Sequence, residues 1–197
     1  IPDMLSNRAD IYNLGDVLGG KEDLFALSYI ENSLTSNPTL APLATREPGD
    51  LYKLLRVAQG DTIAASELAH DSSAVERTDI VNVLRHLSSC QDVLLKVNRE
   101  YIESAAQDDR YRTRPPFKLQ GSYRNMNKLA EKVVPAMTAD EVERLIDDHY
   151  VGEAQTLTTE AEQNLLMLAE LRGRMGDDEA ARWREIEGEF QRLRRMG

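Results

Sequence analysis

The sequence predicts a mainly α-helical protein, and the prediction rests on three observations. Apolar side chains recur at three- and four-residue spacing through most of the chain after residue 20. Gly, Pro and Asn residues separate these periodic segments. Alternation of apolar and polar residues, which is typical of a strand, is clear only in residues 9–14, just before Gly15. We therefore expect a helical bundle with one short N-terminal strand.

The first third of the chain contains two marked helices. Apolar residues lie nearly all round the segment from 21 to 33, which predicts a well-buried helix. An irregular connection follows, in which helical segments are expected to stop at the prolines Pro38, Pro42 and Pro48. Asp50 is then placed to cap a helix that runs to about residue 58, and Gly60 ends it.

Helical periodicity is clearer after residue 72. Ile80, Leu84 and Leu87 line one apolar face, and a second apolar face begins at Leu94. The two faces belong either to two helices or to one helix kinked at residues 88–89.

A loop rich in proline and charge, residues 108–120, precedes the last helices. Ser122 is placed to cap a helix that Pro135 closes. Residues 138–141 and 159–162 both have the Thr-x-x-Glu pattern of a capping box, so two more helices should begin there.

The composition is that of an acidic chain without a disulfide framework. Its 197 residues include 24 Lys or Arg and 34 Asp or Glu, which gives a formal net charge of −10. Such a surface repels phosphate on average, so nucleic-acid binding through a broad basic face is disfavoured. Cys90 is the only cysteine, which indicates a reducing compartment.

The chain has neither an apolar run near the ~20 residues of a membrane span nor a recognisable signal peptide. We expect a cytoplasmic protein with no membrane partner. Because the chain begins at Ile1 rather than Met, we also expect it to be part of a longer protein.

One motif resembles a phosphate-binding loop. Residues 15–21 fit G-x-x-x-x-G-K, after a predicted strand and before a predicted helix. The next residue should be Ser or Thr, whose hydroxyl holds Mg²⁺, but Glu22 stands there. A carboxylate at that position, together with Asp16, would put negative charge beside a triphosphate. We therefore interpret the motif as a glycine turn with Lys21 in the first helical turn.

Residues 1–11 carry the first resemblance to a known family. They contain a Pro, apolar residues, a small residue, an Arg, then Asp and an apolar strand. This order resembles the AAA+ ATPase segment between the fourth and fifth core strands. The resemblance implies that Arg8 is a catalytic arginine finger, which acts on the γ-phosphate in a neighbouring subunit and is typically worth about 10³ to 10⁵ in turnover. From the residues alone, Arg8 could instead pair with Asp3 or Asp10 at the surface.

Residues 121–129 carry a second resemblance. Gly-Ser-Tyr-Arg opens a predicted helix with an arginine in its first turn, and this is similar to the sensor-II segment of AAA+ lids. The resemblance implies that Arg124 contacts nucleotide bound in its own subunit. A first-turn position suits this role, because free backbone N–H groups there also favour phosphate. The alternative is that Arg124 is a solvated helix charge.

Over its full length the chain resembles the C-terminal part of a bacterial AAA+ ATPase family loosely described as DNA-repair ATPases. The stretches that carry this resemblance are residues 7–16, 28–38 and 114–128. It implies an oligomeric machine dependent on ATP and Mg²⁺. Residues 1–20 would end the α/β core, residues 21–137 would form the helical lid, and residues 138–197 would form a C-terminal helical extension.

The chain departs from that family in the residues that bind and hydrolyse ATP. It contains no Walker A motif ending in Ser or Thr, and no apolar run ending in Asp-Glu supplies a Walker B motif. Alone, it should not hydrolyse ATP. The missing N-terminal core would supply the ATP and Mg²⁺ site, and the full-length protein should form a homo-oligomer.

The histidines do not predict a metal site. His70, His86 and His149 are widely separated, and none has Cys90 or a carboxylate at zinc-ligand spacing.

One local cluster is both basic and aromatic. Arg110, Arg112 and Arg114 are interleaved with Tyr111 and Phe117. They could contact nucleic acid or nucleotide phosphates. In a chain with surplus Asp and Glu, we favour pairing with carboxylates.

An alternative function needs no nucleotide. The chain could be a non-catalytic acidic helical adaptor that docks a basic protein partner. Its contact would be the narrow apolar seam after Gly176, which contains Trp183 and Phe190 among Arg and Glu residues.

Overall fold

A computed structural model of the protein describes residues 22–46, 48–63, 65–69 and 72–196. Within these ranges the secondary structure is helical, which confirms the mainly α fold class. The α-helices are α1 (Glu22–Ser33), α2 (Ala41–Arg46), α3 (Pro48–Ala58), α4 (Ala74–Ala106), α5 (Tyr123–Ala130), α6 (Ala139–Gln155), α7 (Ala161–Leu171) and α8 (Asp177–Met196). None of these helices is long and apolar enough to cross a membrane. The strand predicted at residues 9–14 lies outside the described residues.

The chain divides into two compact units, each made of segments distant in sequence. The first is Ile1–Asp92 with Ser122–Ile146, and its described part holds α1, α2, α3, α5 and the N-terminal parts of α4 and α6. The second is Val93–Gly121 with Asp147–Gly197, and it holds the C-terminal parts of α4 and α6 together with α7 and α8. The domain boundaries predicted at residues 20 and 137 stay predictions.

In the first unit, α1 packs against α5, and α2 packs against α3. Burial of the apolar faces of these helices is the main favourable term in folding. The buried apolar residues include Tyr29, Ile30, Leu40, Leu51, Leu54, Leu84, Leu87, Met126, Leu129 and Ile146.

In the second unit, α7 packs against α8. The core also takes in side chains from the irregular segment that follows α4. Its buried apolar residues include Leu94, Val97, Phe117, Leu119, Tyr150, Ala154, Met167, Leu168 and Trp183.

The long segment after residue 72 forms one helix, α4, rather than two. Ser88 and Ser89 do not break it, because their hydroxyls donate to the carbonyls of Leu84 at 2.9 Å and Arg85 at 3.3 Å. Bonds of this kind, to the carbonyl four residues back, let serine stay inside a helix.

Only one of the two predicted capping boxes forms. At the start of α6, Glu141 accepts from the Thr138 N–H at 2.7 Å, and Thr138 Oγ1 accepts from the Glu141 N–H at 3.2 Å. The first of these bonds lowers the pKa of Glu141. The box predicted at residues 159–162 is wrong, because a 3-10 turn, Thr158–Glu160, precedes α7 and no side chain caps that helix.

Asp50 lies inside the first turn of α3, and not before the helix as the prediction of a capping residue requires. The helix begins two residues earlier at Pro48, a residue that suits a first helical turn. The buried carboxylate of Asp50 instead accepts from the Ala69 N–H at 2.9 Å. Through this bond Asp50 holds the segment after α3.

Candidate functional site

The candidate site is the first turn of α5, which carries Arg124. Ser122 is its N-cap, as predicted, and Asn125 completes a capping box. Ser122 Oγ accepts from the Asn125 N–H at 3.3 Å, and Asn125 Oδ1 accepts from the Ser122 N–H at 3.0 Å. Both residues are buried. The backbone that presents Arg124 is therefore fixed by hydrogen bonds on both sides of it.

Arg124 itself is exposed. Its side chain makes no hydrogen bond or ion pair with the described part of the chain. Its guanidinium therefore keeps its planar set of N–H donors for a ligand, and such a set can engage a phosphate group through two parallel hydrogen bonds.

The neighbouring Tyr123 ties this turn to α1. Its ring packs edge-on against Tyr29 with centroids 4.9 Å apart, and its hydroxyl lies 2.6 Å from Ser28 Oγ. Tyr29 is fully buried, and burial raises its pKa. An aromatic pair of this geometry stabilises by about 0.5–1.5 kcal/mol beyond the area it buries.

The far end of α5 is held by Asn37, which is fully buried. Its amide nitrogen donates to the carbonyls of Ala130 and Val133, at 2.9 Å each. Its Oδ1 accepts from the N–H groups of Thr39 at 3.0 Å and Leu40 at 3.3 Å. The helix ends at Ala130, before the predicted stop at Pro135, and Asn37 satisfies the carbonyl of that last residue and the carbonyl of Val133 beyond it.

Sequence patterns did not single out Asn37 as part of the site. Its acceptors lie more than 90 residues away along the chain, so no local motif contains both partners. The available signal is that Asn37 falls in residues 28–38, one of the stretches on which the predicted resemblance to an AAA+ ATPase family rests.

We expect Asn37→Ala to destabilise the first unit by about 2 kcal/mol, because it leaves buried carbonyls without donors. Urea unfolding followed by circular dichroism measures this loss. The control is Asn127→Ala, which removes one exposed hydrogen bond to Asn32 and should cost less than about 1 kcal/mol. Equal stability of the two variants would contradict the bracing role of Asn37.

Arg8 and residues 15–21 lie outside the described residues, and Glu22 begins α1. The placement of Arg8 relative to Arg124 therefore stays a prediction.

Arg110 and Arg112 pair with carboxylates, as we favoured. Arg110 Nη2 lies 2.6 Å from Asp108 Oδ2, and Arg112 Nε lies 2.7 Å from Asp109 Oδ1. Arg112 also donates to the carbonyl of Ser104 at 2.6 Å, near the end of α4. Arg112 thus helps to cap the C-terminal end of α4.

Arg114 lies inside the second unit. It contacts Glu170 at 2.9 Å and Glu187 at 2.8 Å, and its guanidinium lies 5.2 Å from the ring centroid of Trp183. Trp183 is only 3% exposed. It belongs to the core of this unit, which removes it from the contact surface expected of an adaptor. Phe190 is half-buried, beside Arg194.

No group of three His, Cys, Asp or Glu side chains in the described ranges is arranged to hold a metal ion. His149 packs against the Tyr150 ring at 5.0 Å, and Cys90 is buried. His70 lies outside those ranges.

No protein-family model matches this chain, and neither does any curated protein or solved structure. The AAA+ resemblance therefore remains a prediction from residue patterns.

Proposed function

We propose that this chain is the C-terminal part of an AAA+ ATPase, with a helical lid that responds to bound nucleotide. Arg124 contacts the phosphates of nucleotide in its own subunit, and Arg8 acts on the γ-phosphate in a neighbouring subunit. DNA repair is the role attached to the family that the sequence resembles.

The observation that carries the proposal is the availability of Arg124. Five arginines of this acidic chain pair with carboxylates, whereas Arg77 and Arg85 have no carboxylate partner in the described ranges; the five are Arg110, Arg112, Arg114, Arg172 and Arg182. Arg124 has no such partner among the described residues and sits where a helix N-terminus adds partial positive charge. An exposed cation at this position suits an anionic ligand.

The packing around α5 supports a mechanical role. Tyr123 ties its first turn to α1, and Asn37 holds its last turn. Because these contacts join α5 to α1 and to the segment around Asn37, a displacement of the turn that carries Arg124 would also displace them. Lid closure on nucleotide binding would move these elements together.

The residues present fit a phosphate contact rather than a complete nucleotide site. Arg124 can neutralise and orient phosphate oxygens, but the described residues hold no cluster of carboxylates suited to Mg²⁺. In this proposal, ATP and Mg²⁺ would bind mainly to the N-terminal core, where the metal would supply charge neutralisation for phosphoryl transfer.

We expect Arg8→Ala in the full-length protein to lower ATP turnover by about 10³-fold or more, with ATP affinity retained. The reason is that an arginine finger stabilises charge that develops only in the transition state. Steady-state hydrolysis and nucleotide titration measure the two effects.

A mixing experiment tests whether Arg8 acts across subunits. Arg8→Ala subunits should regain turnover when co-assembled with subunits that carry Arg8 but cannot bind ATP. Turnover that is unchanged in Arg8→Ala, or not rescued by mixing, would contradict this role.

The second candidate is a non-catalytic acidic adaptor for a basic protein partner. The exposure of Leu193 (61%) and Met196 (80%) at the end of α8 favours it, since both offer apolar contact. Unchanged ATP turnover in both the Arg8 and Arg124 variants would support this candidate over the lid.

A further inference from the structure

The first unit contains a cleft of about 450 Å³ that Arg124 does not line. It lies between α3 and the first turns of α4. Its apolar lining residues are Leu54, Val57, Ile63, Leu68 and Val81. Leu54 is buried and the other four are half-buried, so the cleft offers apolar surface that the described part of the chain leaves open.

The α4 wall of the cleft carries two arginines. Arg77, Val81 and Arg85 recur every four residues, so they share one face of the helix. The eight-residue spacing places the two arginines about 12 Å apart along the helix axis, at a rise of about 1.5 Å per residue. The cleft is therefore a groove whose α4 wall has one arginine near each end and the apolar Val81 between them.

Neither arginine is neutralised within the described ranges. Arg77 donates to the backbone carbonyl of Ser72, and Arg85 Nη1 donates to Asn82 Oδ1 at 3.1 Å. No Asp or Glu occurs among the described lining residues. The described lining therefore carries a local positive charge, although the net charge of the whole chain is −10, and this lining complements acidic side chains at short range.

We propose that the groove binds an amphipathic helix of an acidic partner protein. Apolar side chains of that helix fill the floor, and acidic residues about two turns apart meet Arg77 and Arg85. This recognition mode places anchors at i, i+3 or i+4, and i+7 of the bound helix. The proposal does not rest on nucleotide binding.

Two features favour a helix over the other occupants. Small-molecule sites enclose most of their ligand, whereas Ala74, Thr78 and Arg85 are exposed, so the α4 wall of the groove is open to solvent. The terminal helix of a second copy is a poor match, because its last turn carries Arg194 and Arg195 rather than acids.

Fluorescence anisotropy with the 197-residue chain tests the proposal. The probes are two fluorescein-labelled amphipathic peptides that share leucines at i, i+4 and i+7 and carry either Glu or Lys at flanking positions two turns apart. We expect the Glu peptide to bind at least tenfold more tightly than the Lys peptide, and added salt should reduce the difference.

Charge reversal locates the binding. The double variant Arg77→Glu, Arg85→Glu should reduce the affinity for the Glu peptide at least tenfold. If the double variant unfolds, the single variant Arg85→Glu serves as a second test and should also reduce this affinity. Arg184→Glu, on an exposed arginine of the second unit, is the matched control and should leave binding unchanged.

Three results would overturn the proposal: no binding of the Glu peptide, equal binding of the Lys peptide, or full binding by the reversed variants. A fourth would reassign the groove to small ligands. In that result, 8-anilinonaphthalene-1-sulfonate binds in an Arg85-dependent way while neither peptide does.

Discussion

Replacing Arg124 by alanine in the full-length protein should lower ATP turnover by about 10²- to 10³-fold at saturating ATP. Loss of one preorganised donor to developing charge typically has an effect of this size. The guanidinium is exposed, yet it stands on a capped turn that is packed against α1. The backbone at Arg124 is therefore already fixed, so phosphate binding has to order only the side chain. Steady-state phosphate release measures the change.

Two variants separate a phosphate contact from a general charge effect. Arg124→Lys keeps the charge but loses the planar fork of donors, so it should recover only part of the turnover. Arg184→Ala removes a comparable exposed helical arginine and should leave turnover within twofold. Thermal melts of all three should coincide, because the Arg124 side chain makes no hydrogen bond or ion pair within the described ranges. Wild-type turnover in Arg124→Ala would contradict the proposal.

Gly121→Ala should destabilise the protein by about 3 kcal/mol, because the backbone of α4 leaves no room for a methyl group. An added Cβ would lie 2.0 Å from the Leu94 carbonyl oxygen and 3.0 Å from the Asn98 nitrogen. These are backbone atoms of a helix, so they cannot rotate away as a side chain would. At this chain length the loss corresponds to a fall of about 6–12 °C in Tm, which calorimetry measures.

Gly152→Ala is the matched control in the same unit. Gly152 lies inside α6, and nothing is within 4 Å of the position its Cβ would take. Alanine there should raise stability by about 0.5–1 kcal/mol, because glycine is a poor helix former. If Gly121→Ala were as stable as wild type, the close approach of residue 121 to α4 would be wrong.

The features that sequence predicts well here are local ones. The N-cap at Ser122 and the capping box at residues 138–141 each involve residues three positions apart, so one short pattern contains both partners. Apolar spacing likewise indicates the helices, because each helix buries a face of its own. Pairing of Arg110 and Arg112 with nearby Asp residues follows from the same proximity.

The features that sequence misses depend on distant segments or on competition between local patterns. Asn37 donates to the last carbonyl of α5, and Asp50 accepts from the Ala69 N–H, so neither role can be seen in the residues next to it along the chain. Residues 159–162 have the same Thr-x-x-Glu pattern as residues 138–141, yet a 3-10 turn takes the place of the cap. At residues 159–162 the Thr-x-x-Glu pattern is therefore not sufficient for a capping box, because the surrounding structure also determines the local conformation.

The most direct test of the contact between Arg124 and phosphate is a comparison of nucleotide affinities. ATP and AMP share the base, the ribose and the α-phosphate, so they differ only in the β- and γ-phosphates. In the full-length protein, Arg124→Ala should weaken ATP binding at least tenfold and leave AMP binding unchanged. ATP affinity equal to that of the wild type would contradict the contact, and an equal loss for both nucleotides would mean that Arg124 does not contact the β- or γ-phosphate.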